Sequence, residues 1–248
     1  YLFKKLQREQ GLLEWDCDRL VRNGRVIWAS CMVACGDADG AVTGNTRRFG
    51  ASLKKIAQVV DVRPGEIMFG LNMVVHKGKT IFVGDTSVHE YPTSEQLSEI
   101  AISSARVVRL FGFDPKVAFV SHSTFGQPLT SRTKHIKDAV EILKKKNVNF
   151  EFDGDMQPDV ALDEEYKSLY PFSKIVGSAN ILIMPGQHSA AISYKMMKTL
   201  GDTKVIGPLL IGLGLPIEIA PLRSSTSEII NLASIAAYSA DVIDYKKN

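Results

Sequence analysis

Apolar positions at helical spacing open the chain. One stretch ends near Gly11 and a second runs from about Glu14 to Arg22, where Asn23-Gly24 breaks the pattern. Val26 to Ala34 is an apolar segment leading into a turn cluster, Gly36 to Gly40, and Ala41 to Gly44 predicts a short strand running into a loop. Leu53, Ile56, Ala57 and Val60 then place a helix over Phe49 to Val60, which stops before Arg63-Pro64-Gly65. From there the period changes. Ile67 to Val75 and Thr80 to Val83 read as two strands around the turn His76 to Lys79.

Thr93, with Gln96 three residues on, has the form of a capping box, because each side chain can satisfy a backbone N–H that the first helical turn leaves unpaired. The helix it starts runs to about Phe111. Val117 to Val120 predicts a buried strand, Ser131 to Lys146 a helix, and Phe150 to Phe152 a strand. The last third repeats this rhythm. Ala179 to Met184 is a strand, Ala190 to Leu200 a helix, Val205 to Ile211 an apolar segment, and Ser227 to Ala240 a closing helix after Ile217 to Ala220. Strands alternating with helices predict an α/β fold built on largely parallel sheets with helices on both faces.

Bulk properties narrow the function without naming it. The 248 residues are 45% hydrophobic and 23% charged, which excludes disorder. No run approaches the ~18 apolar residues of a membrane span, so no membrane partner is expected. The net charge of +3 comes from scattered lysines and arginines, which leaves no electrostatic footprint for nucleic acid. Cys17, Cys31 and Cys35 form no CxxC and no paired framework, as expected of reduced thiols in a cytoplasmic protein. The chain opens at Tyr1 without Met or a signal-peptide pattern, and is expected to be a piece of a longer polypeptide.

Candidate chemistry lies in four polar loops after strands, because parallel sheets expose backbone N–H groups and helix N-termini at their carboxyl ends. Thr43 to Arg48 combines a turn, hydroxyls and two guanidinium groups. Ser121 to Gly126 offers hydroxyls beside a glycine, Asp153-Gly154-Asp155 offers carboxylates, and Leu222 to Thr226 precedes the last helix. Each has a plainer role: a helix cap, a solvated arginine pair, or a turn. The five histidines show no metal-ligand spacing, so no metal site is predicted, and no dinucleotide, phosphate-loop or nucleophile-elbow motif occurs.

Several segments, in order, resemble the phosphate acetyl/butyryltransferase family. Asp39 to Gly44 resembles its ADG loop, Asp85 to Ile102 its ADxAVNxxPTAEQLAEIAI segment, Ser121 to Thr124 its SYST loop, and Asp153 to Gln157 its DGELQ. Asn180 to Pro185, Tyr194-Lys195 and Ile206 to Gly212 follow its NVLIFP, YK and IGPILQG. The residues from Tyr1 to Trp28, with Arg63 to Gly65, are more similar to the family's domain fused behind bacterial malic enzymes. The resemblance implies a two-lobed, isocitrate/isopropylmalate dehydrogenase-like fold: a first lobe over residues 1–57, a second over 58–212, and a return to the first over 213–248. It also implies coenzyme A or acetyl-CoA as ligand. A malic enzyme catalytic domain is expected in cis, carrying NADP and a divalent metal, with homo-oligomerisation through the present domain.

The family pattern also shows departures. Where the acetyltransferases carry NDLSRGCSVED, this chain has Glu218 to Glu228, with Pro221 and Leu222 at the Ser-Arg positions, Arg223 at the glycine, and Glu228 at the aspartate. Gly186 replaces the Asp of FPD, Ala191 an Asn, and Phe125 a Lys. Loss of a positioned guanidinium from a phosphoryl-transfer site costs roughly 3 kcal/mol by analogy with an oxyanion donor. The expectation is therefore a domain without acetyltransfer turnover that binds acetyl-CoA for regulation, with ligand contacts from Thr43, Asn45, Arg47, Arg48, Ser123, Thr124, Arg223, Ser224 and Ser225. The alternatives are an active phosphate acetyltransferase, with Arg223 clamping phosphate and Glu228 as thiol base, and a purely structural oligomerisation module.

Overall fold

The computed structural model describes residues 1–128 and 130–242. Its chain divides into two compact units, Tyr1–Met68 with Ile206–Asn248, and Phe69–Val205. The sequence placed these breaks at 57/58 and 212/213.

The first unit begins with three helices, α1 (Leu2–Gln10), α2 (Glu14–Asn23) and α3 (Arg25–Cys35), then β1 (Ala41–Gly44) and α4 (Phe49–Val59). The apolar segment after Asn23-Gly24 is thus a helix, α3, which buries Val26, Ile27 and Val33. Those side chains join Leu2 and Leu6 of α1 and Ile56 and Val59 of α4 in one core cluster. Cys17, Cys31 and Cys35 are all free.

The second unit runs β2 (Phe69–His76), β3 (Lys79–Gly84), α5 (Ser94–Leu110), β4 (Lys116–Val120), α6 (Ser131–Lys146), β5 (Glu151–Met156), α7 (Pro158–Leu162), α8 (Glu164–Ser168), β6 (Ile181–Ile183) and α9 (Gln187–Leu200). The strand β7 (Thr203–Ile211) follows, and the chain closes with β8 (Ile217–Ala220) and α10 (Thr226–Val242). A six-stranded sheet has the order β5-β4-β6-β3-β2-β7. β3, β6, β4 and β5 pair in parallel, while β2 runs antiparallel to β3, so the sheet is mixed. Val83, Ala118, Val120, Leu182 and Met184 cluster on one face with Val160 and Ala161 of α7 and Ala190 of α9. Phe82 points the other way and stacks on Phe111, just past α5, with ring centroids 5.9 Å apart. Helices therefore cover both faces.

Two elements differ from the sequence expectation. α7 and α8 fill a stretch that carries too few apolar positions to show a period. Asp153-Gly154-Asp155, expected after a strand as a turn, lies inside β5. A side chain on Gly154 would sit 2.7 Å from Phe119 Cβ, so glycine here permits the close approach of β5 to β4. The capping box at α5 is formed as expected, with Gln96 N–H donating to Thr93 Oγ1 at 3.2 Å and Thr93 N–H to Gln96 Oε1 at 2.9 Å. Thr93→Ala is expected to cost about 1 kcal/mol of stability, read as a lower urea midpoint. Among the described residues no helix is long and apolar enough to cross a membrane.

Candidate functional site

In the first unit, β1 and β8 form a two-stranded parallel sheet with Gly44 opposite Ala220, so their following loops leave side by side. The loops are tied together. Asn45 N–H donates to Ala220 O at 2.9 Å, and Arg223 N–H donates to Asn45 O at 3.1 Å. Both Asn45 and Arg223 take left-handed backbone, with φ of 61° and 62°. This geometry brings Thr43, Asn45 and Arg47 to one cavity of about 580 Å³, lined also by Arg25, Val26, Ala29, Val42, Ala220 and Ile229. Thr43 Oγ1 and Asn45 Oδ1 are buried without a hydrogen-bond partner. Orphaned buried oxygens are costly, and two of them occur within this one loop.

The remaining expected residues of this unit lie outside that lining. Arg48 and Arg223 are exposed. Ser224 Oγ donates to Pro221 O at 2.9 Å, closing the turn after β8. Ser225 and Glu228 form a capping box at the start of α10. Glu228 N–H donates to Ser225 Oγ at 3.2 Å, and Ser225 N–H donates to Glu228 Oε2 at 2.7 Å. The Glu228 carboxylate is thus engaged by a helix end.

The second unit holds the other two expected residues, both buried. Ser123 donates its hydroxyl to Asp155 Oδ2 and lies 3.1 Å from Ser121 Oγ. Thr124 Oγ1 accepts from Gln157 N–H at 3.3 Å, and Gly126 N–H donates to Asp155 Oδ1 at 3.0 Å. These bonds pin the loop after β4 onto β5. Phe125 packs on Phe172 and Tyr170, with centroids at 4.8 and 5.5 Å, so the position where the family carries Lys is part of an aromatic cluster here.

Sequence reasoning missed two features. Asp85, 1% exposed, accepts from the N–H groups of Gly70, Ser87, Val88 and His89 and from the His89 ring at 2.8 Å, which organises the loop after β3. A second cavity, about 740 Å³, opens beside Ser121 and His122 after β4 and Pro185, Gly186 and His188 after β6. Adjacent strands β4 and β6 send their chains in opposite directions, to β5 and to β7, which makes this crevice the sheet's topological switch point. Strand order is invisible in the sequence. No cluster of metal-ligating side chains occurs among the described residues.

An α/β chain whose polar loops leave parallel strands at their carboxyl ends has the architecture in which ligand sites form at those ends. A model of the phosphate acetyl/butaryl transferase family matches residues 2–237, and the chain belongs to that family. It is 44% identical over 240 residues to the NADP-dependent malic enzyme of Rhizobium meliloti (strain 1021), covering 97% of the chain and 31% of that relative. It is 31% identical over 248 residues to the phosphate acetyltransferase of Clostridium acetobutylicum, covering 96% and 74%. The solved phosphotransacetylase of Streptococcus pyogenes superposes with a TM-score of 0.88 at 29% identity, covering 96% of this chain and 73% of that one. The chain spans about a third of the length of the malic enzymes it matches.

Proposed function

We propose that the chain is an acetyl-CoA-binding regulatory and oligomerisation domain of a cytoplasmic NADP-dependent malic enzyme, without acetyltransferase turnover. The catalytic domain, in cis, would carry NADP and a divalent metal and convert malate to pyruvate and CO2. The two units are read as the lobes of an isocitrate dehydrogenase-like fold. The likeness to malic enzymes along nearly the whole chain supports the parent assignment. The observation that carries the loss of turnover is the loop after β8. Leu222, 57% exposed, stands where the family pattern has its arginine, and the carboxylate proposed as thiol base is bound by Ser225. A transfer site needs a free base and a positioned cation at the reacting group, and this loop offers Arg223 only, displaced by one position.

Isothermal titration of the intact protein with acetyl-CoA is expected to show saturable binding, and a thiol-release assay with acetyl phosphate and coenzyme A no turnover. Coupling to malate oxidation requires a differential affinity of about 1–3 kcal/mol between states, or roughly 5- to 150-fold. Absence of binding would end the regulatory reading. Turnover that vanishes in Arg223→Ala would establish the active acetyltransferase instead.

A further inference from the structure

The outer face of α3 gathers sulfur. Cys31 and Cys35 lie one helical turn apart, and Met32 follows Trp28 by one turn. At about 3.6 residues per turn, these four side chains leave the helix within roughly 100° of arc. Val26, Ile27 and Val33 occupy the buried side. Both thiols are free: Cys35 is exposed, and the half-buried Cys31 packs against the edge of the core. Met32 is 39% exposed and Trp28 52%. Trp28 Nε1–H donates to Met32 Sδ at 3.0 Å, which holds the thioether on this face. Helix geometry decides what the thiols can do. Residues four apart have Cβ atoms about 5–6 Å apart. A disulfide needs about 3.5–4.5 Å, so α3 keeps this pair from joining to each other. An ion between them fits, because two metal–sulfur bonds of about 2.3 Å span roughly 4.6 Å.

We infer that Cys31, Met32 and Cys35 form a binding site for a soft monovalent metal ion, Cu(I), on the outer face of α3. Thiolate and thioether sulfur are soft donors that favour this ion, and Cu(I) is satisfied by two or three of them. Zinc asks for four ligands. Among the described residues no three of His, Cys, Asp and Glu come together, so two thiols and a thioether do not build a closed zinc site. Each thiol gives up its proton as its sulfur bonds the ion, Met32 adds a neutral third donor, and the copper stays Cu(I) throughout. Burial raises the Cys31 thiol, with Cys35 adding to the effect, so Cys31 keeps its proton until a cation displaces it. The site shares no residue with the cavity after β1 and does not depend on the acetyl-CoA reading. The sequence holds the C-x-x-x-C spacing, but only the helix puts the three sulfurs on one face.

The test is anaerobic titration of the intact protein with Cu(I) buffered by bicinchoninate, in a reductant without thiols, with copper counted per chain. The unsubstituted protein is expected to hold one copper more than Cys35→Ser. That position is exposed, so the substitution leaves the core intact and circular dichroism unchanged. Met32→Leu should weaken this copper by about tenfold or more. Copper should also quench the indole beside the site. Trp28→Phe should therefore keep the copper and lose part of the fluorescence change. If Cys31→Ser disturbs the core edge, Cys35→Ser decides alone. Equal copper in the unsubstituted protein and Cys35→Ser overturns the site. Unchanged affinity in Met32→Leu overturns the three-sulfur assignment. Zinc held in the same Cys35-dependent stoichiometry, and not displaced by Cu(I), overturns the assignment to a soft monovalent ion.

Discussion

Gly44→Ala is expected to destabilise the first unit by roughly 3 kcal/mol or more, among the larger effects a single methyl group can have. Gly44 has φ of 100°, and a Cβ there would lie 2.3 Å from Ala220 O and 3.1 Å from Ile219 Cγ2. Relief would require β1 and β8 to separate, because the obstacle is backbone. That same separation would break the Asn45–Ala220 bond and open the loop pair that holds the candidate site. Gly50→Ala is the control. It lies in α4 with no heavy atom within 4 Å of its would-be Cβ, and should be neutral or slightly stabilising. Urea unfolding followed by tryptophan fluorescence suits this unit, since Trp15 and Trp28 sit in α2 and α3. Equal midpoints for the two variants would refute the argument.

The stability of the same unit should fall as pH rises from about 5 to about 8, and Glu218→Gln should remove most of that slope. Glu218 lies in β8, where every residue is buried, and its carboxyl is pushed up to about 8 by burial, opposed by a hydrogen bond from Leu210 N–H at 2.9 Å. In the unfolded chain the group titrates near 4.5. Between these values the folded state holds a proton that the unfolded state releases. Stability from this group is therefore complete below the lower pKa and lost as pH passes the upper one. At about 1.4 kcal/mol per pKa unit the loss is on the order of a few kcal/mol. Glutamine keeps an acceptor for Leu210 N–H and cannot ionise. Parallel pH profiles for the two proteins would contradict the assignment.

Much of the fold was legible because apolar spacing reports burial directly. Leu53 and Ile56 mark the inner face of α4, and Thr93 with Gln96 marks the start of α5. The site was legible only in part. Thr43, Asn45 and Arg47 showed themselves as a polar loop after a strand, and they do share one cavity. Ser224, Ser225 and Glu228 have the same composition yet are engaged in a turn and a cap. The same residue types serve both ends, so composition does not separate them. Arg25 and Glu218 gave no signal, because a charge at a helix start and a glutamate between two isoleucines acquire meaning only from what surrounds them.

The sequence by itself determined the alternation of strands and helices, the family, and the departures at Pro221, Leu222, Arg223 and Glu228, all of which are local in the chain. Tertiary structure alone decided that β1 pairs with β8 across more than 170 intervening positions, that Gly44 faces Ala220 O, that Arg25 and Asn45 line one cavity, and that Glu218 loses its solvent. Pairing between distant segments depends on summed burial and backbone hydrogen bonding over the whole unit, which no window of sequence contains.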